Sequence, residues 1–409
     1  MINLEIPEKL ETLVYQAHMA ALHVLRPISR KYDSAEHSYP TELDGLAELV
    51  AQANAAQAGL ASVPETGSGP AAPAGGAASR AGNVNGRNLA SLVGLIEMCW
   101  GDVGLMLTMP RQGLGQAAIS AVATPEQLKR FGGRWAAMAI TEPEAGSDSA
   151  AIRTTAVLDG DEYVLNGEKI YVTSGDRAEL IVVWATLDRD AGRGAIKSFV
   201  VERDNPGLRL DRLEHKLGIR ASDTANFVLE NCRVPKENLL GSPEITTARE
   251  GFAGAMQTFD NTRPMIAGMA VGVARAALER TRELLEAAEV TIDYDRPLHS
   301  LPAAVAEFIG MEADWEAARL LAMRAAWMSD NRMPNTVAAS MAKAKAGRMA
   351  TDVTLRCVAL CGALGFGEDE LLEKWARDAK ILDIFEGTQQ IQQLVIARQL
   401  LDRRSTELK

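Results

Sequence analysis

At 409 residues the chain exceeds what one hydrophobic core ordinarily organises, so two or three packed units are expected, and its 47% apolar residues suffice to fill them. A formal net charge of -11, with no run of Lys and Arg and no basic stretch interleaved with aromatics, excludes a nucleic-acid footprint. Cys99, Cys232, Cys357 and Cys361, like the scattered histidines, fall in no metal-ligand or disulfide-scaffold spacing, so no metal is expected and the thiols read as reduced.

The first residues, Met1 to Pro7, carry no basic or apolar targeting pattern, and no uninterrupted apolar run reaches membrane-spanning length. The expectation is a soluble cytoplasmic protein with no membrane span. Residues 8 to 60 read as helical, with Leu10, Leu13, Val14 and Ala17 recurring on one face. From Thr66 to Ser79 the chain turns to Gly, Pro, Ala and Ser, a composition that buries too little to offset ordering, so residues 65–88 are expected to form a mobile loop. A phosphate cradle is the alternative for these glycines, but no Gly-Lys-Ser/Thr follows and no strand precedes. Helical character returns over Leu89 to Leu107 and again at Thr124-Pro125, where Thr124 can cap and Pro125 opens the first turn.

From Trp135 to Val234 short β-rich runs take over. Tyr163-Val164-Leu165, then Asn166-Gly167, then Ile170-Tyr171-Val172 predicts a hairpin, since Asn-Gly supplies the positive φ of a two-residue turn. Leu180 to Trp184 predicts a buried strand, and Phe199 to Val201 and Phe227 to Leu229 predict two more. Past Pro235 the pattern is helical: Gly251 to Glu289, where Gly268 and Gly272 give a smooth packing face, then Pro302 to Trp327, Thr336 to Cys361, Leu371 to Lys380 and a terminal helix. The predicted fold is α+β in three parts: a helical domain over 1–134, a small antiparallel β domain over 135–245, and a helical bundle over 246–409.

One residue stands out near the end. Glu386 lies in Ile384-Phe385-Glu386-Gly387-Thr388, before a segment with Ile391, Leu394, Val395 and Leu401 on one face. Gly387 removes bulk beside the carboxylate, and Thr388 is placed as an N-cap. Apolar neighbours disfavour the charged form and raise the pKa toward the range of a general base. A carboxylate that merely complements the helix dipole is the alternative, and the local sequence leaves both open.

Six stretches then occur in order: Met138 to Asp148, Asn166 to Gly175, Glu214 to Arg220, Phe259 to Pro264, Arg377 to Ile381 and Phe385 to Thr388. Together they resemble the acyl-CoA dehydrogenase family, and the helical first part is compatible with it. The resemblance implies an FAD enzyme that oxidises an acyl-CoA thioester to the trans-2,3-enoyl-CoA, by α-proton abstraction and β-hydride transfer, and passes electrons to an electron-transfer flavoprotein. It implies Glu386 as the base, because the family's other branch carries its base on the long helix of the last domain, where this chain has Thr262. By the same resemblance Met138, Ile140, Thr141, Gly146 and Ser147 lie along the flavin. Tyr171, Val172 and Thr173 form the strand packed on its ring, with Tyr where Trp is customary, and Thr388 and Gln390 are further cofactor positions. Ser147, Asp260, Arg263 and Gly387 match substrate-side positions. A surface ion pair is the alternative for Asp260 and Arg263, and ordinary hairpin core for Tyr171 to Thr173.

Two family features are missing. Val290 to His299 replaces an Arg-x-x-Phe-Gly loop, and Ala359 and Ala363 stand where a Gln and a Gly are usual ahead of the base. Those are groups through which symmetric members complete a neighbour's FAD site. The chain is therefore expected to be an oligomer, either a heteromer of α2β2 type with a related chain, or a homo-oligomer in which Arg296 reaches the pyrophosphate. A non-catalytic acyl-CoA- and FAD-binding subunit is the competing function, against which the retained Glu386 speaks. Oxygen chemistry on the flavin is a third, opposed by the intact carboxylate and CoA-side residues.

Overall fold

The computed structural model of the chain describes residues 5–50, 84–111, 114–245, 253–403 and 407, and for 253–261 the backbone alone. Helix α1 (Glu8–Ala20) passes through one π turn (Ala21–Leu25) into α2 (Arg26–Ser34), followed by α3 (residues 42–50), α4 (Arg87–Gly101), α5 (Val103–Thr108), α6 (Leu114–Val122) and α7 (Pro125–Phe131). The start of α7 is the one its sequence predicts: Thr124 and Gln127 form a reciprocal capping box with Pro125 in the first turn. Between α4 and α5 the chain is broken at Asp102, which is extended and caps α5 by accepting from the Leu105 amide at 2.8 Å.

The start of α4 is capped from elsewhere in the chain. Asp330 accepts from the backbone amides of Gly86 (2.8 Å), Asn88 (2.9 Å) and Leu89 (3.1 Å), and Asn331 accepts from the Val84 amide at 3.0 Å. Residues 84–88, expected to belong to a mobile loop, are thus tied down and already entering a helix, while 65–83 lie outside the described residues. One carboxylate satisfies three amides that the helix itself leaves unpaired. Asp330→Ala is expected to cost about 1–2 kcal/mol, and Asp330→Asn less, checked by the urea midpoint of each variant.

The strands are β1 (Ala136–Ala139), β2 (Thr155–Asp159), β3 (Glu162–Thr173), β4 (Leu180–Thr186), β5 (Ile196–Glu202), β6 (Leu208–Leu213) and β7 (Thr224–Pro235). They form one sheet in the order β1-β4-β2-β3-β7-β6, with β5 on β4; the long pairings are antiparallel, while β1 runs parallel to β4. Every residue of β4 is buried, as its unbroken apolar run predicts. The hairpin is not where Asn166-Gly167 placed it. The turn is Gly160-Asp161, between the paired Asp159 and Glu162, and Asn166-Gly167 lies inside β3 as a bulge. There the Asn166 side chain accepts from the Asn231 amide on β7 at 2.8 Å, so the dipeptide serves the long β3–β7 pairing instead of a reversal.

The last part is a bundle of α8 (Ala253–Ala287), α9 (Ala303–Asp330), α10 (Thr336–Phe366), α11 (Leu372–Ala379) and α12 (Gln389–Leu400), with a 3₁₀ turn (Lys380–Asp383) after α11. Gly268 and Gly272 do serve close packing: a Cβ at Gly268 would lie 2.6 Å from Leu92 Cδ1, and one at Gly272 would strike the Ile96 carbonyl, both on α4. α10 is long and apolar enough to cross a bilayer by length and composition, but Lys343, Lys345, Arg348, Asp352 and Arg356 interrupt its apolar run, and Ala339, Ala342, Ala346, Ala350 and Val353 pack in the core of the bundle. The apolar face expected on α12 is only partly packed, with Ile391 and Val395 half-buried. Leu394, Leu400 and Leu401 are exposed, and the buried residue of that helix is Gln392.

The three parts meet at a buried cluster. Lys374 on α11 donates to Asp102 Oδ2 at 2.7 Å and Asp378 Oδ2 at 2.6 Å; Ser29 on α2 also donates to Asp102, and Asp378 Oδ1 accepts from the Ile219 amide of the β domain at 2.5 Å. All four side chains are buried. Arg377, one turn away, holds Asp33 at 2.6 Å and donates to the Leu217 carbonyl at 2.9 Å.

Candidate active site

Glu386 sits in a turn forced by its neighbours. Its φ is 53° and that of Gly387 is 88°, a left-handed pair that stops the 3₁₀ turn and lets α12 start at Thr388, whose hydroxyl accepts from the Ile391 amide at 3.3 Å. The left-handed angle favours glycine at 387, and a Cβ there would also lie 2.5 Å from Gln392 Nε2 and displace that amide. The Gln392 amide donates to the carbonyls of Glu386 (3.1 Å) and Gly387 (3.2 Å), and Lys343 Nζ donates to the Gly387 carbonyl at 2.7 Å. The Glu386 carboxylate accepts from Thr262 Oγ1 on α8 at 2.6 Å.

Burial pushes the Glu386 pKa above the ordinary carboxylate value, and the Thr262 hydroxyl, Lys343 and Arg263 only partly oppose it. The direction matches the expectation, but the cause differs. Ile384 is exposed, Phe385 and Glu386 itself are half-buried, and the groups that lie against the turn are Thr262 from α8 and Lys343 from α10. Thr262, which has no basicity of its own, is the hydrogen-bond donor to the base. Arg263 is buried, which rules out the surface ion pair for it, and the side chain of Asp260 lies outside the described residues.

On the β-domain side, Met138 is half-buried at the end of β1, an edge strand that pairs only with β4. The Thr141 carbonyl accepts from the Ile170 amide at 2.9 Å, which brings the segment after β1 against β3. At that point β3 bulges. Tyr171 takes a left-handed φ of 59°, donates its amide to Asn226 Oδ1 at 3.1 Å, and leaves its ring 61% exposed, while Thr173, two residues on, is half-buried. A tyrosine held in that conformation is the kind of strain that re-aims a side chain toward a ligand. Val172 and Ile140 are buried in hydrophobic clusters, so what they can offer a cofactor is main chain. Gly146 and Ser147 are exposed with open space around Gly146, Thr388 is half-buried with its hydroxyl engaged as a cap, and Gln390 is exposed.

Three supporting residues escaped the sequence. Glu142 is buried under the Met138 to Ser147 segment and accepts from Lys169 Nζ (2.6 Å), Thr154 Oγ1 (2.5 Å) and the amides of Thr154 (3.0 Å) and Arg153 (2.5 Å). Lys169, pushed down to about 8 by burial against the pull of Glu142, also donates to the Ile140 carbonyl at 3.2 Å and so pins the segment from below. Lys343 is the third. Its signal in the sequence was a lone cation in Ala342-Lys343-Ala344, on a stripe that must be buried. An edge strand with open main chain, the Thr141 hydroxyl and an exposed aromatic ring fit the polar rim and flat face of a flavin.

A family model for the acyl-CoA dehydrogenase middle domain matches residues 137–232, and one for the acyl-CoA dehydrogenase C-terminal domain matches 249–401. The chain is 37% identical over 309 residues to the short-chain specific acyl-CoA dehydrogenase of Clostridium acetobutylicum, covering 74% of this chain and 79% of that one. It is 42% identical over 263 residues to the mitochondrial short-chain specific enzyme of Rattus norvegicus, covering 64% of this chain and 62% of the relative, so that match spans less than two thirds of the rat protein. The structure of butyryl-CoA dehydrogenase from Megasphaera elsdenii superposes with a TM-score of 0.80 at 28% identity, covering 98% of this chain and 100% of that one. With two family models over its middle and last parts and a relative matched over most of its length, the chain belongs to the acyl-CoA dehydrogenase family, whose members are FAD-dependent.

Proposed function

We propose that the chain oxidises a short acyl-CoA thioester to its trans-2,3-enoyl-CoA, with Glu386 as the base that removes the α-proton. The observation that carries this reading is a carboxylate whose pKa burial raises, aimed by the Thr262 hydroxyl and held in a left-handed turn with Gly387. A proton beside a thioester is very weakly acidic, so the base must combine high proton affinity with fixed geometry. The short acyl group follows from the relatives, which are short-chain enzymes. FAD, when bound, accepts the β-hydride. The chain holds it through main chain at Met138, Ile140 and Val172, through Thr141 and Ser147, by the Tyr171 ring and Thr173, and through Thr388 and Gln390. Gly146 admits close approach, and Arg263, Asp260, Ser147 and Gly387 form the CoA side.

The same reading assigns an electron-transfer flavoprotein as the acceptor, the cytoplasm as the location, and division of the chain near residues 135 and 245. It also assigns a related partner chain. Arg296, the alternative donor to a pyrophosphate, instead donates to the Ser300 carbonyl of its own loop at 2.6 Å. Leu355, Leu364 and Phe366 on α10, Leu394 and Leu400 on α12 and Leu401 just after it are exposed, a set of apolar side chains that a partner would cover. The test is the chain purified alone and with a candidate partner, with flavin content measured before anaerobic addition of butyryl-CoA. Bleaching of bound flavin is expected, with full flavin content only when the partner is present. A flavin-loaded protein left unbleached by every acyl-CoA from short to long would overturn the activity, and full flavin content without a partner would overturn the heteromer.

A further inference from the structure

Lys343 is an anomaly among the buried residues. It lies in the Ala-rich middle of α10, 1% exposed, and its ammonium donates to the Gly387 carbonyl at 2.7 Å. A buried ammonium is costly unless its charge is used, and an alkyl side chain would fill the same space. What surrounds it is the base and its turn. From α8 come Thr262 and Arg263, from the 3₁₀ turn Asp383, itself held by Lys380 at 3.1 Å, and from α12 Gln392. We propose that Lys343 is a positioning residue for the base: it fixes the left-handed Glu386-Gly387 turn through the Gly387 carbonyl, and its charge keeps the Glu386 carboxylate ionisable inside a dehydrated cleft.

The inference rests on the reading of Glu386 as the base. Gln392 and Lys343 draw the carbonyls of residues 386 and 387 toward the interior, so the amides on the other side of those two trans peptides, those of Gly387 and Thr388, point the opposite way. Lys343 thereby sets which groups of the turn can face a substrate. Its charge acts in the same place. Burial pushes the Lys343 pKa down to about 8, Asp383 and Glu386 resist that fall and Arg263 adds to it, so the ammonium persists below about pH 8. Arg263 also acts on Glu386, but from α8 and without the bond to Gly387.

Lys343→Met removes both the bond and the charge, while Lys343→Gln removes the charge and keeps an amide donor. Both are to be measured as FAD-loaded protein, by the pH dependence of flavin bleaching with butyryl-CoA. In each variant the pKa governing the acid limb is expected to rise by about one unit, a tenfold slower reaction on that limb, and Lys343→Met alone should also lose rate on the plateau. Limbs that superimpose on the wild type, with only a uniform drop in rate, would reduce Lys343 to a structural residue. Should neither variant fold, the coupling is read from its other end, since the effect of two charges on each other is reciprocal. In protein labelled at lysine Nζ, Glu386→Gln should lower one lysine titration by the same amount, and no movement of any lysine would overturn the proposal. This readout needs no turnover, so it survives if the activity assigned to Glu386 is wrong.

Discussion

Glu386→Gln is expected to abolish bleaching of the flavin by acyl-CoA, lowering the rate by a factor on the order of 10²–10⁴ or more while acyl-CoA still binds. The substitution is close to isosteric and keeps a hydrogen bond with the Thr262 hydroxyl, so the loss isolates proton abstraction. Because burial raises the Glu386 pKa above its ordinary 4.5, the acid limb of the wild-type reaction should lie above that value, the rate falling as pH drops through it. The same shift has a consequence for stability. A carboxyl whose pKa is raised on folding favours the fold while protonated, and that contribution is lost as pH rises through the folded value. Above this window Glu386→Gln should therefore unfold at a higher urea concentration than the wild type, with the difference closing near pH 4. A variant that is bleached at the wild-type rate would remove Glu386 from the chemistry, and one equally stable at every pH would show that its carboxylate is not dehydrated.

Lys374→Met is expected to be the most destabilising single change outside the cleft, by about 3–5 kcal/mol. Burial alone would lower the Lys374 pKa, but Asp102 and Asp378 outweigh it and hold the ammonium above its ordinary range, so the charge is committed to that cluster. Without it two carboxylates remain buried and facing each other, with only Ser29, the Leu105 amide and the Ile219 amide to serve them. Burial already raises the Asp378 pKa against the pull of Lys374, so without the ammonium Asp378 is pushed further toward protonation and the deficit should shrink as pH falls. Adding Asp378→Asn to Lys374→Met removes one stranded charge and should recover part of the loss. Urea midpoints at two pH values check both statements. A midpoint that does not move would mean the cluster is not a joint between the three parts.

The periodicity of the chain determined most of its elements. β4, the three long helices α8, α9 and α10 and the cap at Thr124 stand where the residues predict them, because each depends on neighbours within a few positions. Glu386 was legible for the same reason: a carboxylate, a glycine and a capping threonine in a row are a local arrangement. What the sequence could not decide are the matters that depend on a partner far along the chain. Asn166-Gly167 became a bulge because β7 lies beside it, the start of α4 is capped by Asp330 from 242 positions away in the case of Asn88, and α12 left its leucines exposed. The tertiary structure showed that the Thr262 hydroxyl donates to the Glu386 carboxylate from 124 positions away and brought Lys343 onto the neighbouring Gly387 carbonyl from 44, and so supplied the burial and the charge that give a glutamate its chemistry. Local sequence sets backbone angles and caps; the free energy of a proton is set by whatever the fold packs around it.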